Sequence, residues 1–112
     1  MLRPVGISSS GIFASFKLLN TTAHNIANSN TDGFKRHSVS FNETPQGGVH
    51  ASVSIDPSPG ARYLDMGIAE ASNVELAYEM VSLMTAKHML TINTAAIKTG
   101  FEMEKSIIDI IA

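Results

Sequence analysis

The 112-residue chain contains no cysteine, so neither a disulfide framework nor a thiolate metal site can form. Its chemistry is therefore indifferent to the redox state of its surroundings. Charge is scarce: only 16% of residues are charged and 44% are apolar, too apolar for a disordered tail and too mixed for a membrane protein. No apolar run approaches the roughly 20 residues that a spanning helix needs. Eight Lys and Arg stand against ten Asp and Glu, and the largest cationic cluster is the pair Lys35-Arg36. Binding a nucleic-acid backbone requires several phosphates to be neutralised at once, which argues against that partner. The opening Met1-Leu2-Arg3-Pro4-Val5-Gly6-Ile7 lacks the apolar stretch of a cleavable signal peptide, so an exported chain is expected to use another route.

Proline is also rare, and Pro45, Pro57 and Pro59 all lie in the middle of the chain with Gly47, Gly48, Gly60 and Gly67. The flanks are left free for helices. Three regions result, 1–34, 35–71 and 72–112, read as parts of one folding unit. In the first, Ile12, Phe16, Leu19, Ala23 and Ile26 follow a 4-3-4-3 spacing that makes one stripe of a helix from Gly11 to about Asn30. Ser9 or Ser10 is a suitable cap for its start, and Gly33 can take the positive φ that closes its end, with Phe34 folding back. In the middle region, Val49-His50-Ala51-Ser52-Val53-Ser54-Ile55 alternates as a strand with one face covered. Asp56-Pro57-Ser58-Pro59-Gly60 then forces a turn, so one small hairpin or extended excursion is expected.

In the third region, Ser72 and Glu75 fit an S-x-x-E capping box, followed by a long stretch without proline. Steps of four and three from Leu76 reach Met80, Leu83, Lys87, Leu90, Thr94, Ile97, Phe101, Glu104, Ile108 and Ile111. Eight of these eleven positions are apolar, a coiled-coil seam with polar interruptions. The expected fold is therefore mainly α: paired N- and C-terminal helices, coiled-coil-like, with a short extended or β-hairpin insertion between them. Tyr78, Val81, Met84, Met89, Ile92, Met103, Ile107 and Ile110 lie off this seam. A helix apolar on more than one face is buried on more than one side. The single shorter partner helix leaves the excess to other subunits, which makes Tyr78, Val81, Met84, Ile92, Ile107 and Ile110 candidates for subunit contacts.

No constellation for catalysis or cofactor binding accompanies these helices. His24, His37, His50 and His88 lack the i, i+3 or i, i+4 spacing of paired metal ligands and are read as surface or interface residues. No G-x-S-x-G elbow holds a serine, and the glycines follow neither phosphate-cradling pattern. The sequons at Asn20-Thr21-Thr22 and Asn42-Glu43-Thr44 are short enough to arise by chance. An enzyme is not expected, nor a cofactor.

At Ala27-Asn28-Ser29-Asn30-Thr31-Asp32-Gly33-Phe34-Lys35-Arg36, preceded by Ser10-Gly11-Ile12, Leu19 and His24-Asn25-Ile26, the chain resembles the N-terminal motif of the flagellar rod, hook and hook-associated axial proteins. Ala27, Asn28, Asn30, Thr31, Gly33, Phe34 and Lys35 carry that motif. Ser72-Asn73-Val74-Glu75-Leu76-Ala77 with Glu79-Met80-Val81, continued by Ala86, Asn93 and Ile97-Lys98-Thr99, is similar to the second motif of the family. The resemblance implies paired terminal helices stacking helically into a hollow rod that transmits torque and passes exported subunits. The implied partners are other copies of the chain, other rod and axial proteins, and the flagellar type III export apparatus in transit. The implied location is the periplasmic rod of the basal body, reached without a cleaved signal. The short middle region is most like the proximal-rod FlgC type. The alternatives are another axial paralogue, of hook or distal-rod type, and a soluble helical-hairpin protein-binding module.

Overall fold

The computed structural model describes residues 2–64 and 66–112. Helix α1 spans Leu2–Ala27 and helix α2 spans Leu76–Ile111. Between them lie strands β1 (His37–Glu43), β2 (Val49–Ile55), β3 (Arg62–Leu64) and β4 (Ile68–Glu70). The strands form two separate antiparallel hairpins, β1 with β2 and β3 with β4. The expected strand at Val49–Ile55 is present, but the insertion holds two hairpins where one excursion was expected.

Helix α1 begins nine residues before the expected start at Gly11. Pro4 sits in its first turn, where the missing N–H has no intrahelical acceptor in any case. Ser10 is inside the helix and its hydroxyl donates to the Ile7 carbonyl at 2.6 Å, so it is not a cap. Tertiary packing extends the helix across this serine- and glycine-rich stretch, because α2 runs alongside and Gly100 lies against the Val5 side chain. The capping box is not formed either. Glu75 occupies the N-cap position with no side-chain bond to the helix, and the Ser72 hydroxyl accepts from the Val74 N–H at 3.2 Å. Asn73 is held by two other segments of the chain, 34–36 and 56–58, and this keeps 72–75 extended.

The helices run antiparallel, with Asn25 beside Glu79, Gly11 against Asn93 and Val5 against Gly100. In the β1–β2 register His37 pairs with Ile55, Val39 with Val53 and Phe41 with Ala51. All of these residues share one face, and the serines and Asn42 occupy the other. The apolar face lies over α1, yet Phe41, Val53 and Ile55 stay 41–61% exposed. The chain as a whole buries little. Its surface is 7734 Å², against about 6,000 Å² for a compact monomer of this mass. Its radius of gyration is 19.6 Å, against about 13 Å for a compact chain of this length. The molecule measures 76 × 25 × 13 Å, and among the described residues only Ala14 and Ala86 form a fully buried apolar core.

Two glycines fix the path between the helices. Gly33 has φ +70° as expected, and its N–H donates to the Glu70 carbonyl at 2.7 Å. Gly60 is required for a different reason, since a Cβ there would lie 1.9 Å from the Ala71 carbonyl oxygen. Gly33→Val is expected to cost about 1–2 kcal/mol through left-handed strain, with Gly33→Asn close to the parent. Gly60→Ala is expected to cost more, because a backbone atom must move. Urea unfolding followed by circular dichroism checks this order, and equal stability of the two Gly33 variants would contradict the assigned backbone geometry.

Candidate functional site

Among the described residues the buried side chains are mainly polar, and Thr22, Asn25 and Glu79 gather where the two terminal motifs meet. Ser15, Thr22, Asn25 and Glu79 are each 1–2% exposed. Asn25, near the end of α1, uses its whole amide. Its Nδ2 donates to the His37 carbonyl at 2.7 Å and to Glu79 Oε2 at 3.2 Å, while its Oδ1 accepts from the His37 N–H at 2.9 Å. The side chain thus pairs with the first residue of β1 as a neighbouring strand would. Glu79, one turn into α2, takes the remaining charge through Oε1, which accepts from Arg36 Nε at 2.6 Å. The Arg36 guanidinium also lies 4.0 Å from the centre of the Tyr78 ring.

Burial disfavours the Arg36 cation, but the hydrogen bonds and charge of Glu79, with Tyr78, outweigh it and raise the Arg36 pKa. Removing a carboxylate from water costs several kcal/mol unless a partner ion and further donors surround it. Arg36 and Asn25 supply both here.

Asn73 repeats the device on the other side. Its Oδ1 accepts from the Arg36 N–H at 2.6 Å, and its Nδ2 donates to the Asp56 and Ser58 carbonyls at 3.1 and 2.9 Å. Lys35 donates to the Ser58 carbonyl at 3.0 Å and forms an ion pair with Glu70. Glu70 also accepts from the Gly60 N–H at 2.9 Å. Lys35 first, and the Gly60 N–H next, hold the Glu70 carboxyl below its ordinary pKa. The Tyr63 hydroxyl donates to Asp32, which raises the Tyr63 pKa and ties β3 to the turn after α1. Phe34 folds back as expected, with its ring edge-on to His24 and His37 at 5.4 and 5.5 Å.

The expected motif residues fall into two groups. Asn28, Thr31, Gly33, Phe34 and Lys35 hold the turn together: Asn28 Nδ2 donates to the His24 carbonyl at 2.9 Å and Thr31 Oγ1 donates to Asn28 Oδ1 at 3.2 Å. Ala27 and Asn30 are exposed. Arg36, Asn73 and Glu79 join the motif to the rest of the chain and were not among the expected site residues.

The expected seam requires correction. Ile12, Leu19, Ile26, Leu83, Leu90 and Ile97 are half-buried, whereas Phe16, Ala23, Leu76, Met80, Phe101 and Ile108 are exposed. The residues between the helices are one step around: Gly11, Ser15, Leu18, Thr22 and Asn25 of α1 face Glu79, Ser82, Ala86, Asn93 and Gly100 of α2. Small side chains at three- and four-residue spacing let the backbones approach closely, and this geometry displaces the large apolar residues to the flanks. Phe16, Leu19, Leu83 and Leu90 instead line an open apolar groove of about 320 Å³ along one side of the pair, with Lys87 at its edge. The subunit-contact candidates Tyr78, Val81, Met84, Ile92, Ile107 and Ile110 are all exposed, from 44% to 82%. The histidines assemble no metal site: among the described residues no cluster of three potential ligands occurs.

Two family models match the chain. Residues 12–35 match the flagella basal body rod protein model, and residues 66–110 match the model for the C-terminal part of flagellar basal body rod FlgEFG proteins. The two spans together take in more than half of the chain and contain every residue of the buried polar junction except Arg36, His37, Asp56, Ser58 and Gly60. No curated protein matches the chain.

Removing Arg36 leaves Glu79 charged, buried and unpaired, so Arg36→Ala is expected to cost about 3–5 kcal/mol. The double variant Arg36→Met with Glu79→Met is expected to recover most of that loss, because no ion is then left without a partner. Urea unfolding of the parent and the two variants measures both. A pH dependence follows from Glu70, whose folded pKa is lowered. Its contribution is complete above the ordinary value of 4.5 and is lost as pH falls through the lower folded value. Thermal melts of the parent and Glu70→Gln are expected to differ above pH 4.5 and converge below it.

Proposed function

Since the chain belongs to the flagellar basal-body rod and axial protein family, we propose that it polymerises with copies of itself and with other axial proteins into a hollow, torque-bearing shaft. The role of this family is structural and not enzymatic. Large apolar residues are the observation that carries the reading. Tyr78, Val81, Met84 and Ile92 of α2 are 53–67% exposed, and Phe16 and Met80 are exposed as well. Large apolar side chains this numerous and this exposed are what neighbouring subunits would cover. The polar junction makes each subunit a stiff unit by tying α1, α2 and both hairpins together.

Within that family we assign the chain to the proximal rod, of the FlgC type, because the region between the two motifs is short. Among the described residues it holds only the two small hairpins, without the larger domain that the resemblance implies for hook and distal-rod members. Export through the type III apparatus to the periplasmic rod completes the reading. No described helix is long and apolar enough to cross a membrane.

Met84→Asp tests the assembly role, since Met84 is 62% exposed in the single chain. The variant is expected to keep the helical circular dichroism of the parent and to change its stability by no more than about 0.5 kcal/mol. It is also expected to be missing from isolated basal bodies and to leave cells non-motile. Normal swimming by Met84→Asp cells would remove the argument that these residues are subunit contacts. If the parent chain were absent from basal bodies, or formed only a defined one-to-one complex, the rod assignment itself would fail.

A further inference from the structure

The hairpin β1–β2 covers α1 with a mismatch. Its inner face is apolar from Val39 to Ile55, but the α1 stripe beneath it runs through Ser10, Phe13, Lys17, Thr21 and His24, most of it polar. Two open cavities of about 360 and 300 Å³ result, and Lys17 lines both. They make one groove along α1 from Ser10 to His24, roughly 21 Å of helix. Phe13 and Val53 give it apolar walls, 72% and 41% exposed, Lys17 gives it a cation, and His24 and His37 give it polar ring nitrogens. No Asp or Glu lines either cavity. On the inner face of the hairpin only Glu43, at its far end, carries an acid.

Toward one end of the long axis, α2 continues past the contact between Val5 and Gly100 to Ile111. Phe101, Met103, Ile107, Ile108, Ile110 and Ile111 there are 44–82% exposed. Three acids, Glu102, Glu104 and Asp109, accompany them with Lys105 alone of opposite sign. This segment is an apolar and acidic helix of roughly 15 Å.

We propose that the terminal turns of α2, residues 101–111, dock in the α1–β2 groove of a second copy of the chain. The inference rests on the polymerising role proposed above and names one of its contacts. Length, apolar character and charge all correspond: the groove is long enough for the segment, both are uncovered, and a groove lined by Lys17 with no acid meets an acidic helix. The contact is heterologous, joining different surfaces of the two copies, so repetition generates a chain of subunits and not a closed dimer. Rim charges of this kind set register and speed of encounter more than affinity.

The absence of cysteine from the sequence provides a clean test. Cells make two single-cysteine chains together, Asn20→Cys on the wall of the groove, about one turn from its middle at Lys17, and Ser106→Cys at the middle of the α2 segment. Positions this near the two centres come within reach whichever way the segment runs. A disulfide between the two chains is expected in isolated basal bodies, and none when Ser40→Cys, on the polar face of β1, replaces Asn20→Cys. Adding Lys17→Glu to the groove chain is expected to lower the yield several-fold, and Asp109→Lys in the partner chain to restore it. Swimming cells whose basal bodies contain the chains but give no more adduct than the Ser40→Cys control would overturn the docking and leave the rod assignment standing. Adduct formation unaffected by Lys17→Glu would overturn the charge pairing that selects this groove. Absence of the parent chain from basal bodies would overturn the rod assignment, and this proposal with it.

Discussion

One buried carboxylate organises this protein. Glu79 is among the least exposed side chains, and an ion in that position is tolerated only if its partners arrive together. Asn25 comes from the end of α1, Arg36 from the start of β1, and Glu79 itself from the first turn of α2. Meeting the needs of a single charge therefore brings together the end of one helix, the beginning of the other and the base of the larger hairpin. Asn73 and Lys35 extend the same logic to the second hairpin through Asp56, Ser58 and Glu70. Apolar burial alone would not define this arrangement, because the apolar core is so small. Hydrogen bonds with two-sided geometry, such as the paired bonds of Asn25 to the His37 backbone, specify orientation as well as contact.

The consequence is an inversion of the usual helical hairpin. Small and polar residues occupy the space between α1 and α2, while Phe16, Leu19, Leu83 and Leu90 sit on the flank and Met84 and Ile92 face outward. Close approach of the backbones, with Gly11 against Asn93 and Gly100 against Val5, leaves no room for larger side chains. What a monomer would conceal is thereby displayed, and a structural role in the rod gives that display a purpose.

Much of the architecture was legible in the sequence. The two helices, the strand at Val49–Ile55, the positive φ of Gly33 and the return of Phe34 all follow from local rules of periodicity and turn chemistry. The inter-helix seam was not legible, because periodicity finds the largest apolar stripe and cannot tell whether it faces the helix partner or a neighbour. Ser82, Ala86, Asn93 and Gly100 recur at four- and seven-residue spacing on α2, and that pattern of small and polar residues was the available signal. The burial of Glu79 had none, since a glutamate in the first turn of a helix is ordinary and favourable to the dipole. Ser72 and Glu75 matched a capping box in type and spacing. Tertiary bonds to Asn73 overrode it, and no local rule contains those bonds.

The antiparallel pairing has a kinetic side. Asn25 and Glu79 are separated by 54 positions along the chain, and Val5 and Gly100 by still more. Contacts so distant in sequence form only after most of the polypeptide is free to search, and topologies built on them fold more slowly than local ones. While the C-terminal stretch is still confined, α1 has no partner to lie against and a lone helix of its length is marginal in water. Under the export proposed above, a narrow conduit would thus carry a pliable thread, and the chain would stiffen only where both of its ends have emerged.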